Sequence, residues 1–428
     1  MHPTDPDDPY HSLWEHTANS APLTPPLSET QDCDVVIVGA GITGLSTALH
    51  LGERGIRACV LDTHEPAWGA SGRNGGQVIP GIKHDPERIL SRYGNTLGEP
   101  LLDMVAGAAD SVFEVIEKYA IECNATRAGW IQPAHSRRAL DTVLDRARQW
   151  IDRGAPAAIL SRDEVSARLG TDRFLGGWID LRAGSIQPLN YTRGLLRAAQ
   201  SVGASVHGKS RVVSLEKAAG RWTALTENGA LVRADHVLIA TNAYTDDLWP
   251  GLRQTVIAAN SFIVATEPLD PAIGADILPG GEVASDSRRL LLYIRRDAAG
   301  RFIIGGRGQF ADPVSARDWS HLVHGAQLMY PRLAGVPFSY RWSGRIALTR
   351  DAVPHVHEPA PGLHIALGYN GRGVALATQV GRYLARAIGT GEKLPYPVTP
   401  ISAIPFHGLK RFYIGAAVTY YGLCDKIL

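Results

Sequence analysis

The 428-residue chain is predicted to adopt an α/β fold with α+β insertions, in which a parallel-sheet domain made of discontinuous segments carries an inserted antiparallel sheet. Three observations predict it. An apolar run enters a glycine turn and then a helical pattern near the N-terminal end. Interior stretches switch to a period of two. A second strand, glycine loop and helix pattern then recurs near the C-terminal end.

The first unit is Asp34-Val-Val-Ile-Val-Gly39-Ala-Gly41-Ile42-Thr43-Gly44. Gly39 permits the turn, Gly41 lets the backbone approach a pyrophosphate, and Gly44 lets the helix pack closely on the strand. Ile42 and Thr43 open the helix, whose positive N-terminus suits an anion. The next strand, Ala58-Cys-Val-Leu, ends in Asp62 and Thr63. Asp62 follows the glycines at close to the ~20-residue spacing of a carboxylate that accepts hydrogen bonds from an adenosine ribose. Strand, turn, helix and acid together read as the Rossmann-like start of a dinucleotide-binding domain over 31–95.

The remaining segments follow in chain order. Residues 1–30 contain six prolines and form an irregular arm that only Leu13 and Trp14 are suited to anchor. No run in the arm is apolar enough for a signal peptide or a membrane span. Gly69-Ala-Ser71-Gly72-Arg73-Asn74-Gly75-Gly76-Gln77 is too rich in glycine for a helix or strand, so a loop whose backbone approaches a cofactor is expected. Residues 96–175 carry helical apolar spacing, and 96–180 open the inserted substrate domain. From Arg211 to Ala240 the period becomes two, with a hairpin turn at Asn228-Gly229. His236-Val-Leu-Ile-Ala-Thr241-Asn242 then returns to the parallel sheet, giving 181–245 to the dinucleotide domain. Residues 246–345 complete the substrate domain, with a hairpin around Asp297-Ala-Ala-Gly300. Leu363–Gly368, the loop Tyr369-Asn370-Gly371-Arg372-Gly373 and a helix through Ile388 supply the last piece, 346–395. A tail occupies 396–428.

Composition narrows the function. With 43 basic and 42 acidic residues, nothing favours nucleic acid or an anionic membrane, and small-molecule chemistry is expected. Cys33, Cys59, Cys123 and Cys424 lie far apart, without zinc or CxxC spacing. A reducing, cytoplasmic setting and no metal site follow as expectations.

Taken together, the Gly39–Gly44 turn, the Gly69–Gln77 loop, Ile239-Ala-Thr-Asn-Ala243, Arg341-Trp-Ser-Gly344 and Gly368-Tyr-Asn-Gly-Arg-Gly-Val374 resemble one superfamily over most of the chain. It comprises the FAD-dependent amine and amino-acid oxidoreductases of the D-amino-acid oxidase, glycine oxidase and sarcosine oxidase type. Within it the gamma-glutamylputrescine oxidase-like subgroup is most similar. The resemblance implies a bound FAD, held noncovalently because no cysteine lies between Cys123 and Cys424. It implies that Ser71 to Gln77 run along the flavin and pyrophosphate. Val212 or Val213 would meet the adenine. Thr241, Asn242, Gly344 and the segment Tyr369 to Val374 would complete the cofactor site, the Asn370–Gly373 turn lying at the flavin's negative end.

The flavin of such enzymes takes a hydride equivalent from the carbon beside an amine, so the protein chiefly positions the substrate. Tyr293 and Arg295 alternate along one strand and share a face. Relatives use an arginine of this hairpin for the substrate carboxylate, which makes Arg295, with Tyr293, the expected substrate contact. Arg372, Trp342, His84 and Tyr369 are further candidates. An amine or amino-acid derivative and molecular oxygen are the expected partners, with hydrogen peroxide as co-product. A dehydrogenase passing electrons to a quinone or protein, and an electron-relay subunit of a hetero-oligomer, are the alternatives. The oligomeric state stays open.

Overall fold

The computed structural model describes residues 12–309, 311–410 and 412–416. One six-stranded sheet collects strands from three distant parts of the chain. Its order is Ser205–His207, Ala58–Leu61, Val35–Val38, His236–Ile239 and Leu363–Leu367, all parallel, with His355–Ala360 as an antiparallel edge. Val35–Val38 and Ala58–Leu61 are buried at every position, which explains their continuous apolar runs. Strand order reverses between Val35–Val38 and His236–Ile239, so a crevice opens at their carboxyl ends.

The helix Ile42–Gly52 covers this sheet and packs beneath the helix Gly373–Thr390. Their approach is close because Gly381 has no side chain: a Cβ there would stand 2.7 Å from Ser46 Cβ. Ser46 Oγ donates to the Thr378 carbonyl at 2.8 Å, fastening the two helices.

A second, eight-stranded sheet runs in the order Tyr340–Leu348, Ile257–Pro268, Arg301–Arg307, Leu292–Arg296, Val283–Ser285, Trp130–Pro133, Gly177–Asp180, Ala157–Leu160. Its pairings are antiparallel except between Val283–Ser285 and Trp130–Pro133. The expected hairpin is present, with Asp297 Oδ1 accepting from the Ala299 and Arg301 amides in the turn. The stretch 96–175, by contrast, is not mainly helical throughout. Trp130–Pro133 and Ala157–Leu160 are strands that close the far end of this sheet. Each is four residues long without alternation, so distant pairing rather than local pattern sets its conformation.

The four-stranded sheet contains the predicted hairpin at Gly229, whose φ is 90°, and gains Gln31–Asp32 as a parallel edge. The 69–77 loop holds one helical turn, Ala70–Arg73, made possible by Gly72, where a Cβ would collide with the Ala67 carbonyl.

From Ser12 onward the N-terminal arm is a strap. Leu13 and Trp14 are fully buried in the short helix Leu13–His16. Downstream, Gln200 Nε2 donates to the Leu23 carbonyl at 2.9 Å, and the Leu27 amide donates to Ser210 Oγ at 2.8 Å. Trp14 Nε1 donates to the Asn74 carbonyl at 2.8 Å, which ties the strap to the glycine loop. Trp14→Phe should therefore keep the fold and lose about 1–2 kcal/mol, the worth of one buried hydrogen bond and its unpaired acceptor. Urea unfolding of the variant beside the parent measures this.

Candidate active site

At the crevice the chain builds an anion cradle. The helix Ile42–Gly52 starts at Gly41, which offers no side-chain cap, and the Ile42 amide donates to Ser71 Oγ at 3.0 Å. A Cβ on Gly41 would come within 2.8 Å of that hydroxyl oxygen, filling the approach to the helix end. Gly39 has a φ of 111°, and a Cβ there would meet the Ala240 carbonyl oxygen at 2.9 Å. Asp62 accepts from the Ala40 amide at 2.7 Å and the His64 amide at 2.9 Å, one on each carboxylate oxygen. Burial raises its pKa, and the two amides oppose that rise. Each oxygen retains acceptor capacity for a further hydroxyl.

The glycine loop is fastened by its carbonyls. Trp342 Nε1 donates to Arg73 O at 2.9 Å, Trp14 Nε1 to Asn74 O, and Arg295 Nη1 to Gly76 O at 3.2 Å and Ile186 O at 2.6 Å. Asn74 holds the loop from within, donating to Ser71 O and accepting from the Gly76 amide. Gln77 spans to the second sheet, with Nε2 on the Ala284 and Ile294 carbonyls and Oε1 accepting from Ser285. Gly344 lies across from the loop, where a Cβ would meet Arg73 Cβ at 3.2 Å.

Tyr293 and Arg295 do face this loop from one side of their strand, while Arg296 turns to the Gly274 and Ile277 carbonyls. Their contacts nevertheless differ from the expected substrate role. Arg295 is 3% exposed, sits over the Trp14 ring and gives its hydrogen bonds to main-chain carbonyls. Burial lowers its pKa to about 10. Tyr293 packs its ring against Gly75 and Gly305 and places its hydroxyl 3.1 Å from Ser261 Oγ. Arg295 thus meets loop carbonyls where a substrate carboxylate was expected. The sequence showed the shared face but not what lay opposite it.

The second glycine loop closes the crevice. Asn370 (φ 53°) accepts from the Thr349 amide at 3.0 Å, and its own amide donates to the Ala347 carbonyl. Gly371 has a φ of 85° with nothing within 4 Å of a Cβ, so this turn presents an open face. Gly373 then starts a helix whose first amides have no partner within the helix. Tyr369 hydroxyl and Thr43 Oγ1, 2.8 Å apart, join this loop to the first helix. Asn242 Oδ1 accepts from the Gly368 amide at 2.9 Å, tying it to the carboxyl end of His236–Ile239, and Thr241 bonds Thr245. Val374 and Val212 are core residues, whereas Val213 is exposed at a register shift. His84 bonds the Asp351 carbonyl and has a structural position.

One cation was missed. Lys83 follows the glycine loop and its side chain is exposed to solvent. Burial, then the neighbouring Arg372 and Arg146, lower its pKa to about 8. The only sequence signal was a lone lysine after Val78-Ile-Pro-Gly-Ile82. Between the folded value of about 8 and the ordinary 10.5, the unfolded chain holds more protons, so stability rises with pH across this window. Lys83→Met should accordingly stabilise the protein at pH 7, with the gain fading toward pH 10.5. Denaturation at both ends of the range tests the sign.

A family model described as DAO, FAD dependent oxidoreductase, matches residues 34–387. The chain belongs to this FAD-dependent family. Gamma-glutamylputrescine oxidoreductase of Escherichia coli is 30% identical, the match covering 97% of this chain and 98% of that protein. A probable oxidoreductase OrdL of Haemophilus influenzae is 32% identical over 86% of each. Among solved structures, glycine oxidase from Geobacillus kaustophilus has a TM-score of 0.72 at 22% identity, covering 88% of this chain and 99% of that one. Iminodiacetate oxidase from Chelativorans sp. BNC1 has a TM-score of 0.69 at 22% identity, covering 86% and 98%. The DAO fold thus agrees with the sheet topology, and FAD is the group that the cradle fits: amides at a helix end, an acid with spare acceptors, and an open glycine turn. This DAO-family chain is an FAD-dependent oxidoreductase of amine or amino-acid substrates. No described helix is long and apolar enough to cross a membrane.

Proposed function

We propose that this enzyme oxidises the C–N bond of a carboxylate-bearing amine to an imine, which water then hydrolyses. Gamma-glutamylputrescine is the first candidate, and a secondary amine such as an N-substituted glycine or iminodiacetate is the next. Oxygen takes the electron pair and two protons to give hydrogen peroxide. The observation that carries this reading is the meeting of both glycine loops at one crevice, in a chain similar along its length to gamma-glutamylputrescine oxidoreductase.

When bound, noncovalent FAD supplies the hydride acceptor. Ser71 and the first turn of Ile42–Gly52 would hold its pyrophosphate, and Asp62 its ribose. The start of Gly373–Thr390 offers a positive helix end to negative charge in the crevice. Trp14, Trp342 and Arg295 keep the Arg73–Gln77 backbone in place through its carbonyls, so they are positioning residues. The substrate enters with a neutral amine, and no side chain is needed as its base.

The test is anaerobic mixing of purified holoenzyme with these amines, followed by oxygen. Bleaching of the flavin, then recovery with peroxide release, is expected. Bleaching without recovery in oxygen would favour a quinone or protein acceptor, and no bleaching by any amine would overturn the C–N reading.

A further inference from the structure

Between the strap helix Leu13–His16 and the glycine loop lies a cavity of about 380 Å³. Its walls come from the strap through Ser12 and Glu15, from the loop and its approach through Arg73 and Trp68, and from the strand Tyr340–Leu348 through Ser343 and Arg345. Charges there fall into two sets. Arg345 is satisfied by Asp312, its Nη2 2.7 Å from Oδ2. Arg73 and Glu15 are not satisfied, and they share the cavity without pairing with each other. Among the described residues the Arg73 guanidinium has no hydrogen bond and no carboxylate, only the Trp68 ring 4.7 Å away, and the Glu15 carboxylate has neither a hydrogen-bond donor nor an ion-pair partner. Ser12 Oγ, on a residue only 7% exposed, is also without a partner.

The cavity adjoins the crevice. The glycine loop turns Ser71 to the Ile42 amide at the crevice and lines the cavity with Arg73, while Tyr244, another cavity residue, follows Asn242, which bonds the second glycine loop. Trp342 and Trp14 hold the Arg73 and Asn74 carbonyls, so the backbone that carries the guanidinium is set before any ligand arrives. We propose that this cavity is the subsite for the gamma-glutamyl end of the substrate, a zwitterionic α-amino acid group, with Arg73 receiving its carboxylate, Glu15 its ammonium, and Ser12 Oγ serving as a further hydrogen-bonding group. The assignment rests on the C–N oxidation reading above and gives that site its substrate class, amines whose other end is an α-amino acid. A planar guanidinium backed by an indole suits a carboxylate, which it grips through two parallel N–H bonds. A lone cation would accept any anion, whereas a free carboxylate in the same cavity selects a ligand bearing both charges. A ligand with carboxylates alone gains from Arg73 but is repelled by Glu15, which puts a gamma-glutamyl amine ahead of iminodiacetate.

The experiment compares holoenzyme with its Arg73→Gln and Glu15→Gln variants on three amines that share the putrescine end. These are gamma-glutamylputrescine, N-glutarylputrescine, which lacks the ammonium, and N-acetylputrescine, which lacks both charges. Arg73→Gln is expected to raise KM roughly ten- to hundred-fold for the first two, the worth of a charge-assisted hydrogen bond, with a far smaller change for N-acetylputrescine. Glu15→Gln, a change at an exposed position, should raise KM about two- to five-fold for gamma-glutamylputrescine and for neither of the others. Equal effects of Arg73→Gln on all three amines, or none on any, would overturn the proposal.

A second measurement separates this proposal from the C–N reading and from a role for the Arg73 side chain in holding FAD. The γ-ethylamide of L-glutamate, which has the gamma-glutamyl end and no distal amine, is titrated calorimetrically into the oxidised holoenzyme after the flavin content of each protein has been measured. Binding that weakens at least roughly ten-fold in Arg73→Gln at equal flavin content supports the subsite even if no tested amine reduces the flavin. Equal binding by both proteins, no binding by the parent, or loss of FAD from Arg73→Gln overturns it whatever the amines do, the last by making the cavity part of the cofactor site.

Discussion

Gly44→Ala is expected to yield a protein that no longer retains FAD. The added Cβ would collide with the Gly39 carbonyl oxygen and stand 3.1 Å from Ile37 Cγ2, so the helix Ile42–Gly52 must lift from the strand Val35–Val38. Overpacking of this kind costs about 1–3 kcal/mol in stability. The helix end moves with it, and its amides no longer meet the pyrophosphate at hydrogen-bonding distance. A loss of about 3 kcal/mol in binding weakens FAD affinity more than roughly hundred-fold, enough to lose it on a desalting column. Yellow variant protein with the parent's flavin content after desalting would contradict this account of the turn.

Arg295→Met should have the next largest effect, and on stability foremost. It strips the buried carbonyls of Gly76 and Ile186 of a donor and removes the cation above the Trp14 ring. The Gly76 carbonyl keeps the Ile186 amide at 2.8 Å, whereas the Ile186 carbonyl is left without a donor, which costs about 1–3 kcal/mol; with the lost contact to Trp14, worth about 1 kcal/mol, a total of about 2–4 kcal/mol is expected. Because the loop, not the substrate, is what loosens, kcat/KM should fall by similar factors for carboxylated and uncarboxylated amines. The flavin's visible spectrum should shift as well. A loss confined to carboxylated amines would restore Arg295 to substrate recognition and contradict the positioning role.

These two residues also mark how far the sequence could be read. Gly44 belongs to a local pattern in which strand, turn and helix each leave a periodic trace, and the structure places all three as expected. Arg295 could be assigned a face, because alternation along a strand is local. Its partners come from residues 76 and 186, and no local pattern carries that distance. The strands Trp130–Pro133 and Ala157–Leu160 escaped notice for the same reason, since pairing with Gly177–Asp180 defines them. Lys83 left almost no trace: its chemistry lies in the arginines gathered around it, one on a helix far along the chain.

The parallel sheet takes its inner strands from residues 35–38, 58–61, 236–239 and 363–367, and the helix beginning at Gly373 packs directly on the one beginning at Ile42. During synthesis, then, the pyrophosphate cradle emerges from the ribosome early but lacks its neighbours until residues beyond 373 have been made. A nascent chain halted after the Tyr340–Leu348 strand would have the Gly39–Gly44 turn and still lack the helix that packs on Ile42–Gly52 along Thr43 and Ser46. Cofactor capture is therefore a late event, and the growing polypeptide must be shielded from aggregation until its last sheet strand is in place.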